Sequence, residues 1–297
     1  MNKDIKRVGL YGVKIHPESE PFVKVLITIL ESKGVELLVF ESIYNDLASK
    51  KLLNTEPSRF STYEDLKGNI DILFSLGGDG TMLESIMLIR DSGIPVMGIN
   101  TGRLGFLSSI AKEEIEWALN ELFAGHYFLA KRSLLRMETE EALFGNLNFA
   151  MNELTLHKKD TSSMISIHTW IDDEFLNTFW ADGLIIATPT GSTGYSLSCG
   201  GPIVHPTTGN FVITPIAPHN LTVRPMIISD QSVIRLKVEG RSDSFLATLD
   251  SRSITIDSSL EMIVRKESFY VPFVRLTGQS FLTTLRNKLM WGMDKRN

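Results

Sequence analysis

The chain has 297 residues, 43% of them hydrophobic and 22% charged, with a formal net charge of −5. This length fits one large globular domain or two of ordinary size, and the acidic balance argues against a nucleic-acid binder, which is more often basic. A single cysteine, Cys199, excludes an internal disulfide, and any anionic ligand must be held by local cations and backbone amides rather than by the global field.

Residues 7–13 (RVGLYGV) read as a buried first strand. Phe22, Val25, Leu26, Ile29 and Leu30 recur at helical spacing across 17–33, and Gly34 is a natural residue to follow the helix end. Residues 35–40 form a second strand, and the polar stretch 42–67 stays unassigned. A third strand, 70–76 (IDILFSL), runs straight into Gly77-Gly78-Asp79-Gly80. A helix is expected from Met82 to about Asp91, ended by Gly93, and 95–99 make a fourth strand. Strands and helices alternating at this pitch predict a parallel, doubly wound sheet. Ligands of such sheets sit beyond the carboxyl ends of the strands; GGDG marks one such end and NTGRLGF, 100–106, the next.

Residues 113–124 predict one more helix, with Trp117, Leu119, Leu122 and Phe123 apolar. After Gly125 the period changes to two, over 134–139, 149–157 and 164–171, then 211–214, 226–228, 233–238, 245–249, 253–256 and 260–264. This is the texture of antiparallel sheet, with corners such as Asp172-Asp173-Glu174. The boundary is expected at 125–131, and 281–290 close the chain as a short helix. The start lacks the apolar core of a signal peptide and no stretch is long enough to span a bilayer, so the expectation is a cytoplasmic protein. Six scattered histidines show no metal-ligand spacing, and no protein-built metal site is expected.

The chemistry concentrates in 181–202, ADGLIIATPTGSTGYSLSCGGP. An apolar strand ends there in a loop of hydroxyls and glycines, and free amides with hydroxyls suit phosphate and ribose oxygens. Asp79 is the carboxylate of the GGDG turn. Thr81 and Glu84 have the spacing of a capping box, which would leave Asp79 free in the loop for catalysis or binding. Asn152-Glu153 lies in a strand pattern where glutamate usually faces solvent, and Asp182 opens the central strand as either a ligand or a turn residue. Cys199 reads as a small buried apolar residue more readily than as a nucleophile. Arg103 meets phosphate or solvent, and Tyr195 stacks on a base or simply packs.

These residues resemble the bacterial NAD kinases, which phosphorylate the adenosine ribose 2′-hydroxyl of NAD. The resemblance rests on Gly77-Gly78-Asp79-Gly80-Thr81, on 100–106, on Asn152-Glu153, and on Asp182-Gly183 through Gly200-Gly201-Pro202. GGDGT is shared with diacylglycerol-type lipid kinases, whereas TPTGSTGYSLSCGGP marks NAD kinases. The resemblance implies an α/β protein with a Rossmann-like parallel-sheet domain over 1–127 and a β-rich, sandwich-like domain over 128–275, with NAD bound between them. Residues 276–297 would pack back on the first domain. It implies a homodimer or homotetramer, Asp79 as general base, and ATP with Mg²⁺ as donor. It places NAD contacts at Gly80, Asn152, Glu153, Asp182, Thr193, Gly194, Tyr195, Ser196, Leu197 and Ser198, and at Ala217. Neither nucleic acid nor membrane is an expected partner. Relatives usually carry alanine at the position of Gly194. Many also carry Asp-Gly-Gln where this chain has Asp250-Ser251-Arg252, and arginine at the position of Glu84, so Arg252 either holds a phosphate or points to solvent. The alternatives are a lipid kinase, which would need an acyl groove, and a silent NAD(P)-binding sensor.

Overall fold

The computed structural model describes residues 4–102, 105–159, 163–241 and 244–291. The chain divides into two compact units: one is built from residues up to Lys131 and again from Val271 onward, the other from Arg132–Tyr270. Both changes of unit fall within strands, Tyr127–Glu138 and Glu261–Leu276.

In the first unit, strands Arg7–Gly12, Glu36–Phe40, Ser58–Phe60, Ile72–Leu76 and Val96–Asn100 pair in parallel. Arg7–Gly12 is central; the chain winds to one edge through Glu36–Phe40 and Ser58–Phe60, then returns to its other side with Ile72–Leu76 and Val96–Asn100. This is the doubly wound order that the alternation of elements predicts. Ile72–Leu76 and Val96–Asn100 are buried at every position, as expected of strands covered on both faces. Helices Glu20–Ser32 and Ile115–Phe123 bury Leu26, Ile27, Leu30, Leu119 and Leu122 in one core with Val8, Leu10, Phe74 and Ile99. Each such side chain contributes about 1.5–3 kcal/mol on burial. The unassigned polar stretch folds as helix Glu41–Ser49, strand Ser58–Phe60 and helix Tyr63–Leu66. A three-residue strand and a four-residue helix are too short to show a period, and burial of Ile43, Leu47, Phe60 and Leu66 holds them in place.

The second unit stacks two antiparallel sheets. One runs Glu174–Ala181, Ile165–Ile171, Ile234–Glu239 and the first part of Glu261–Leu276. The other runs Met226–Ser229, Asn210–Ile216, Gly183–Ala187, Glu153–Lys158, Ser244–Leu249 and Arg252–Asp257. Leu154, Leu184, Ile186 and Phe245 from the second sheet meet Ile167, Phe179, Leu236 and Met262 from the first in a single core. Strict alternation of buried and half-exposed positions along Ser244–Leu249 shows the period of two directly. Strand Glu174–Ala181 is an addition to the expected set. It follows Asp172 and Asp173, both left-handed at φ 50° and 66°, which form a tight hairpin turn.

Candidate active site

In the first unit, the carboxyl ends of Arg7–Gly12, Ile72–Leu76 and Val96–Asn100 open on a cavity of about 380 Å³, with Lys14, His16, Gly78, Thr81 and Thr101 in its wall. The expected capping box is absent here. Helix Asp79–Ile89 starts two residues before Thr81, with Gly78 as a backbone-only cap, and Glu84 instead accepts from the Tyr11 hydroxyl at 3.1 Å. Burial, followed by the charge of Glu84, pushes the Tyr11 phenol well above its usual range. Asp79 is therefore the first helical residue rather than a free loop carboxylate. A negative group is favourable there, beside the unpaired amides of the first turn.

The Asp79 carboxylate is also engaged. Its Oδ2 accepts from the Phe106 amide at 2.8 Å, and its Oδ1 from Leu107 at 2.9 Å and Ser108 at 3.0 Å. The segment after Gly105 is thus wrapped around this side chain, and a Cβ on Gly105 would lie 1.9 Å from Asp79 Oδ1. The Arg275 guanidinium donates to Ser109 Oγ at 2.6 Å. Burial pulls that guanidinium below its usual range, and the charge of Asp79 opposes the shift. Gly80 faces open space. Arg103 lies outside the described residues.

In the second unit, the loop after Gly183–Ala187 uses its own hydroxyls. Thr188 Oγ1 donates to Met151 O at 2.6 Å, Ser192 Oγ to Pro189 O at 2.7 Å, and Thr193 Oγ1 to Thr190 O at 3.2 Å. Ser196 Oγ pairs with Thr214 Oγ1 at 2.8 Å. Four of the loop's hydroxyls thus tie it to itself and to the sheet, each donating or sharing one hydrogen bond and keeping lone pairs that can accept. Gly191 packs so closely that a Cβ there would lie 2.1 Å from Asn152 O.

That contact seats the loop over Asn152-Glu153. Glu153 is 9% exposed, contrary to the solvated face expected of a strand glutamate. Its Oε2 is buried and has no hydrogen-bond partner among the described residues, and it lies 3.0 Å from where a Cβ on Gly194 would stand. Burial, then the charge of Asp250, pushes its carboxyl up to about 8, and the Tyr195 amide opposes the shift. An orphaned buried carboxyl oxygen is costly to leave unpaired, and it marks the point at which a ligand would be received.

Register separates the remaining candidates. Ala187 pairs with Glu153 and Gly183 with His157, so Asp182 stands at the far end of the strand, roughly 15 Å away at about 3.3 Å per residue. Asp182 Oδ1 pairs with Lys158 Nζ at 2.5 Å, and its amide donates to Ile216 O at 2.9 Å. Ala217 follows directly, exposed and left-handed at φ 44°, a strained conformation for a residue with a Cβ. Tyr195 connects the two ends. Its ring is 42% exposed, and burial, then Cys199 and the charge of Asp182, raise its hydroxyl. Cys199 is half-buried and packs on the core formed by Ile185, Ala187 and Val204, as expected of a small apolar residue, and it also meets this hydroxyl; its thiol is raised chiefly by burial. Ser198 is exposed and Leu197 half-buried.

Two participants carry no signal that sequence reading used. Lys158, beside Lys159, and Arg275 are cations in strand patterns, and only the fold shows which carboxylates they face. Asp250 was visible in Asp250-Ser251-Arg252, but its grip on the amides of 151–153 appears only in three dimensions. Arg252 neither holds a phosphate nor points to solvent: it donates to the carbonyls of Leu147 and Phe149.

A doubly wound sheet with an aspartate locked at a strand-to-helix turn, and a β-sandwich with a glycine-rich loop over a buried carboxyl, define a nucleotide-handling phosphotransferase. The model of the ATP-NAD kinase N-terminal domain matches residues 8–127, and that of the ATP-NAD kinase C-terminal domain matches 151–276. An NAD kinase of Cytophaga hutchinsonii is 50% identical over 97% of this chain and 99% of its own length. One of Christiangramia forsetii is 46% identical over 98% of this chain and 100% of its own. Among solved structures, a yeast NADH kinase complexed with NADH has a TM-score of 0.86 at 27% identity, covering 98% of this chain and 89% of that one. An Archaeoglobus fulgidus NAD kinase in complex with ATP has a TM-score of 0.72 at 25% identity, covering 96% and 99%. The chain belongs to the NAD kinase family and is an enzyme of that kind; the lipid-kinase and silent-sensor alternatives are not supported.

Proposed function

We propose that this enzyme transfers the γ-phosphoryl group of a nucleoside triphosphate, ATP in the first instance, to the adenosine ribose 2′-hydroxyl of NAD, giving NADP. The observation that carries the reading is Glu153, nine-tenths buried with an unpartnered oxygen under a glycine-rich loop. Asn152 and Glu153 receive one nucleoside of the dinucleotide. Asp182 and Ala217, roughly 15 Å along the strand at about 3.3 Å per residue, receive the other. The backbone from Thr193 to Ser198 lies along the ligand, and the exposed Tyr195 ring stacks against it; Gly80 leaves room at the reacting end.

Asp79 takes the proton. A carboxylate offers about four lone-pair positions and three amides use three of them, so Oδ2 keeps one for the hydroxyl hydrogen. As the proton passes to Oδ2, the ribose oxygen bonds to the γ-phosphorus, and the bond from that phosphorus to the bridging oxygen breaks, releasing the diphosphate. General-base assistance of this kind is worth about 10²–10⁴ in rate, and alignment supplies most of the rest. No cluster of three or more metal-ligating side chains stands among the described residues. A divalent cation would come with the donor phosphates, as part of the magnesium–nucleotide substrate, and would neutralise their charge. The enzyme is proposed to work in the cytoplasm as a homodimer or homotetramer, which light scattering on the eluted protein would check.

The test is NADP formation by the purified protein from NAD, ATP and Mg²⁺, measured enzymatically, with chelator as control. No NADP above the chelated control overturns the reading.

A further inference from the structure

The segment that carries Asn152 and Glu153 is gripped by the tip of a hairpin almost a hundred residues further along the chain. Strands Ser244–Leu249 and Arg252–Asp257 are joined by Asp250 and Ser251, with Asp250 left-handed at φ 53°. The Asp250 carboxylate accepts from the amides of Met151 at 2.9 Å, Asn152 at 2.8 Å and Glu153 at 3.2 Å. Its own amide donates back to Glu153 O at 3.0 Å. Two residues on, the Arg252 guanidinium donates to the carbonyls of Leu147 and Phe149, and lies 5.9 Å and 5.8 Å from the rings of Phe144 and Phe149. The carboxylate therefore collects the N–H groups of the segment and the guanidinium collects its carbonyls. Both ends of 147–153 are fixed by one rigid turn.

The same turn carries the charge that acts on Glu153. The groups facing that side chain are Asp250 from the hairpin, the Tyr195 amide and the Cys199 thiol from the short helix, and Asn152 beside it. Burial pushes the Asp250 carboxyl up, and the three amides it accepts from and the charge of Arg252 oppose that shift. Arg252 acts on Asp250 rather than on Glu153 directly.

We infer that Asp250 and Arg252 are positioning residues for the dinucleotide site, together fixing the backbone that presents Asn152 and Glu153. The inference rests on the reading of Glu153 as a dinucleotide contact. Two like charges close together disfavour joint ionisation, which sets the sign of a change at 250. Removing the anion at 250 lets Glu153 ionise at lower pH.

The test is NAD affinity by calorimetry from about pH 6 to about pH 9.5 on wild type, Glu153→Gln, Arg252→Gln, Arg252→Lys and Asp250→Asn, with kcat, KM and melting temperature alongside. Wild type should show a titration step in NAD affinity that Glu153→Gln lacks. Arg252→Gln should weaken NAD binding about tenfold, in line with loss of charged hydrogen bonds. It should also raise KM more than it lowers kcat. Arg252→Lys, which keeps the charge, should recover part of that loss, and Asp250→Asn should move the step to lower pH. If Asp250→Asn does not fold, the split between KM and kcat in Arg252→Gln carries the test. A step that stays at the wild-type pH in the folded variants, with only the melting temperature lowered, makes the hairpin merely structural and overturns the inference. If Glu153→Gln itself binds NAD like wild type at every pH, the reading of Glu153 as a ligand fails instead.

Discussion

Asp79 in the first unit and Glu153 in the second are both carboxylates beside glycine-rich turns, yet their surroundings are opposite. Asp79 accepts three backbone amides and has a buried arginine, Arg275, within its field. Glu153 has an orphaned oxygen, and the charge that acts on it is that of another carboxylate, Asp250. The first arrangement stabilises the fold around the side chain and fixes its position to within a hydrogen bond. The second costs stability in the free protein, and a ligand that pairs the orphan atom recovers the loss. A fixed acceptor suits a base that must meet one proton, and an unsatisfied pocket suits a group that must recognise a substrate.

The largest effect should come from breaking the first arrangement. Asp79→Asn should lower turnover about 10²–10⁴-fold, with NAD affinity within several-fold. Asparagine also turns an NH₂ toward amide donors, at a cost of about 1–3 kcal/mol in stability, so its melting temperature should fall as well. Gly105→Ala separates the two losses: it keeps the carboxylate but drives a methyl into its Oδ1, and should also lose most activity. An Asp79→Asn enzyme keeping more than about a tenth of wild-type turnover would remove Asp79 from the role of base.

Next comes the seat of the loop. Gly191→Ala forces a Cβ against the Asn152 carbonyl, a backbone contact that cannot rotate away. The loop must lift from Glu153, and NAD affinity should fall on the order of a hundredfold, about 2.7 kcal/mol. Calorimetric binding at the wild-type level would show that the loop does not need that seat.

Glu153→Gln tests the second arrangement in both directions. It should weaken NAD binding about tenfold and stabilise the free protein at alkaline pH. The sign follows from a folded-state value of about 8 against an ordinary 4.5. Between these values the unfolded chain has released the proton and the folded chain has kept it. The contribution of Glu153 to stability is therefore full below 4.5 and is lost progressively as pH rises toward 8. Glutamine removes this slope. Urea unfolding at about pH 5 and about pH 9 should show the variant gaining on wild type at the higher pH; parallel slopes would mean that Glu153 is not held protonated.

The smallest effect is expected at Gly194. Its φ of −91° is outside the left-handed region, so conformation alone does not require glycine. Alanine would place its methyl 3.0 Å from Glu153 Oε2 and 3.2 Å from Gly191 O, contacts that a shift of a few tenths of an ångström relieves. Gly194→Ala should change NAD affinity by a few-fold, roughly 1 kcal/mol or less. Gly194→Val, with two further methyls at the same carboxyl, should bind far more weakly at a melting temperature near wild type. Equal affinities for the two variants would place the dinucleotide elsewhere.

Much of this was determined by the sequence itself. Apolar runs and their periods located the parallel strands other than Ser58–Phe60, and the change to antiparallel sheet after Gly125, because burial on one or both faces writes its period into the residues. GGDG and the 181–202 stretch marked the chemistry, because close backbone approaches need glycine and only a few positions tolerate it. The tertiary structure alone decided how each polar group is used. Thr188, Ser192, Thr193 and Ser196 tie the loop to itself and to the sheet; Asp79 is wrapped by Phe106 to Ser108; and Arg252 serves the carbonyls of Leu147 and Phe149. A hydrogen bond between residues 28 or 103 positions apart leaves no local pattern, and the burial that orphaned Glu153 exists only once two strands and a loop have closed over it.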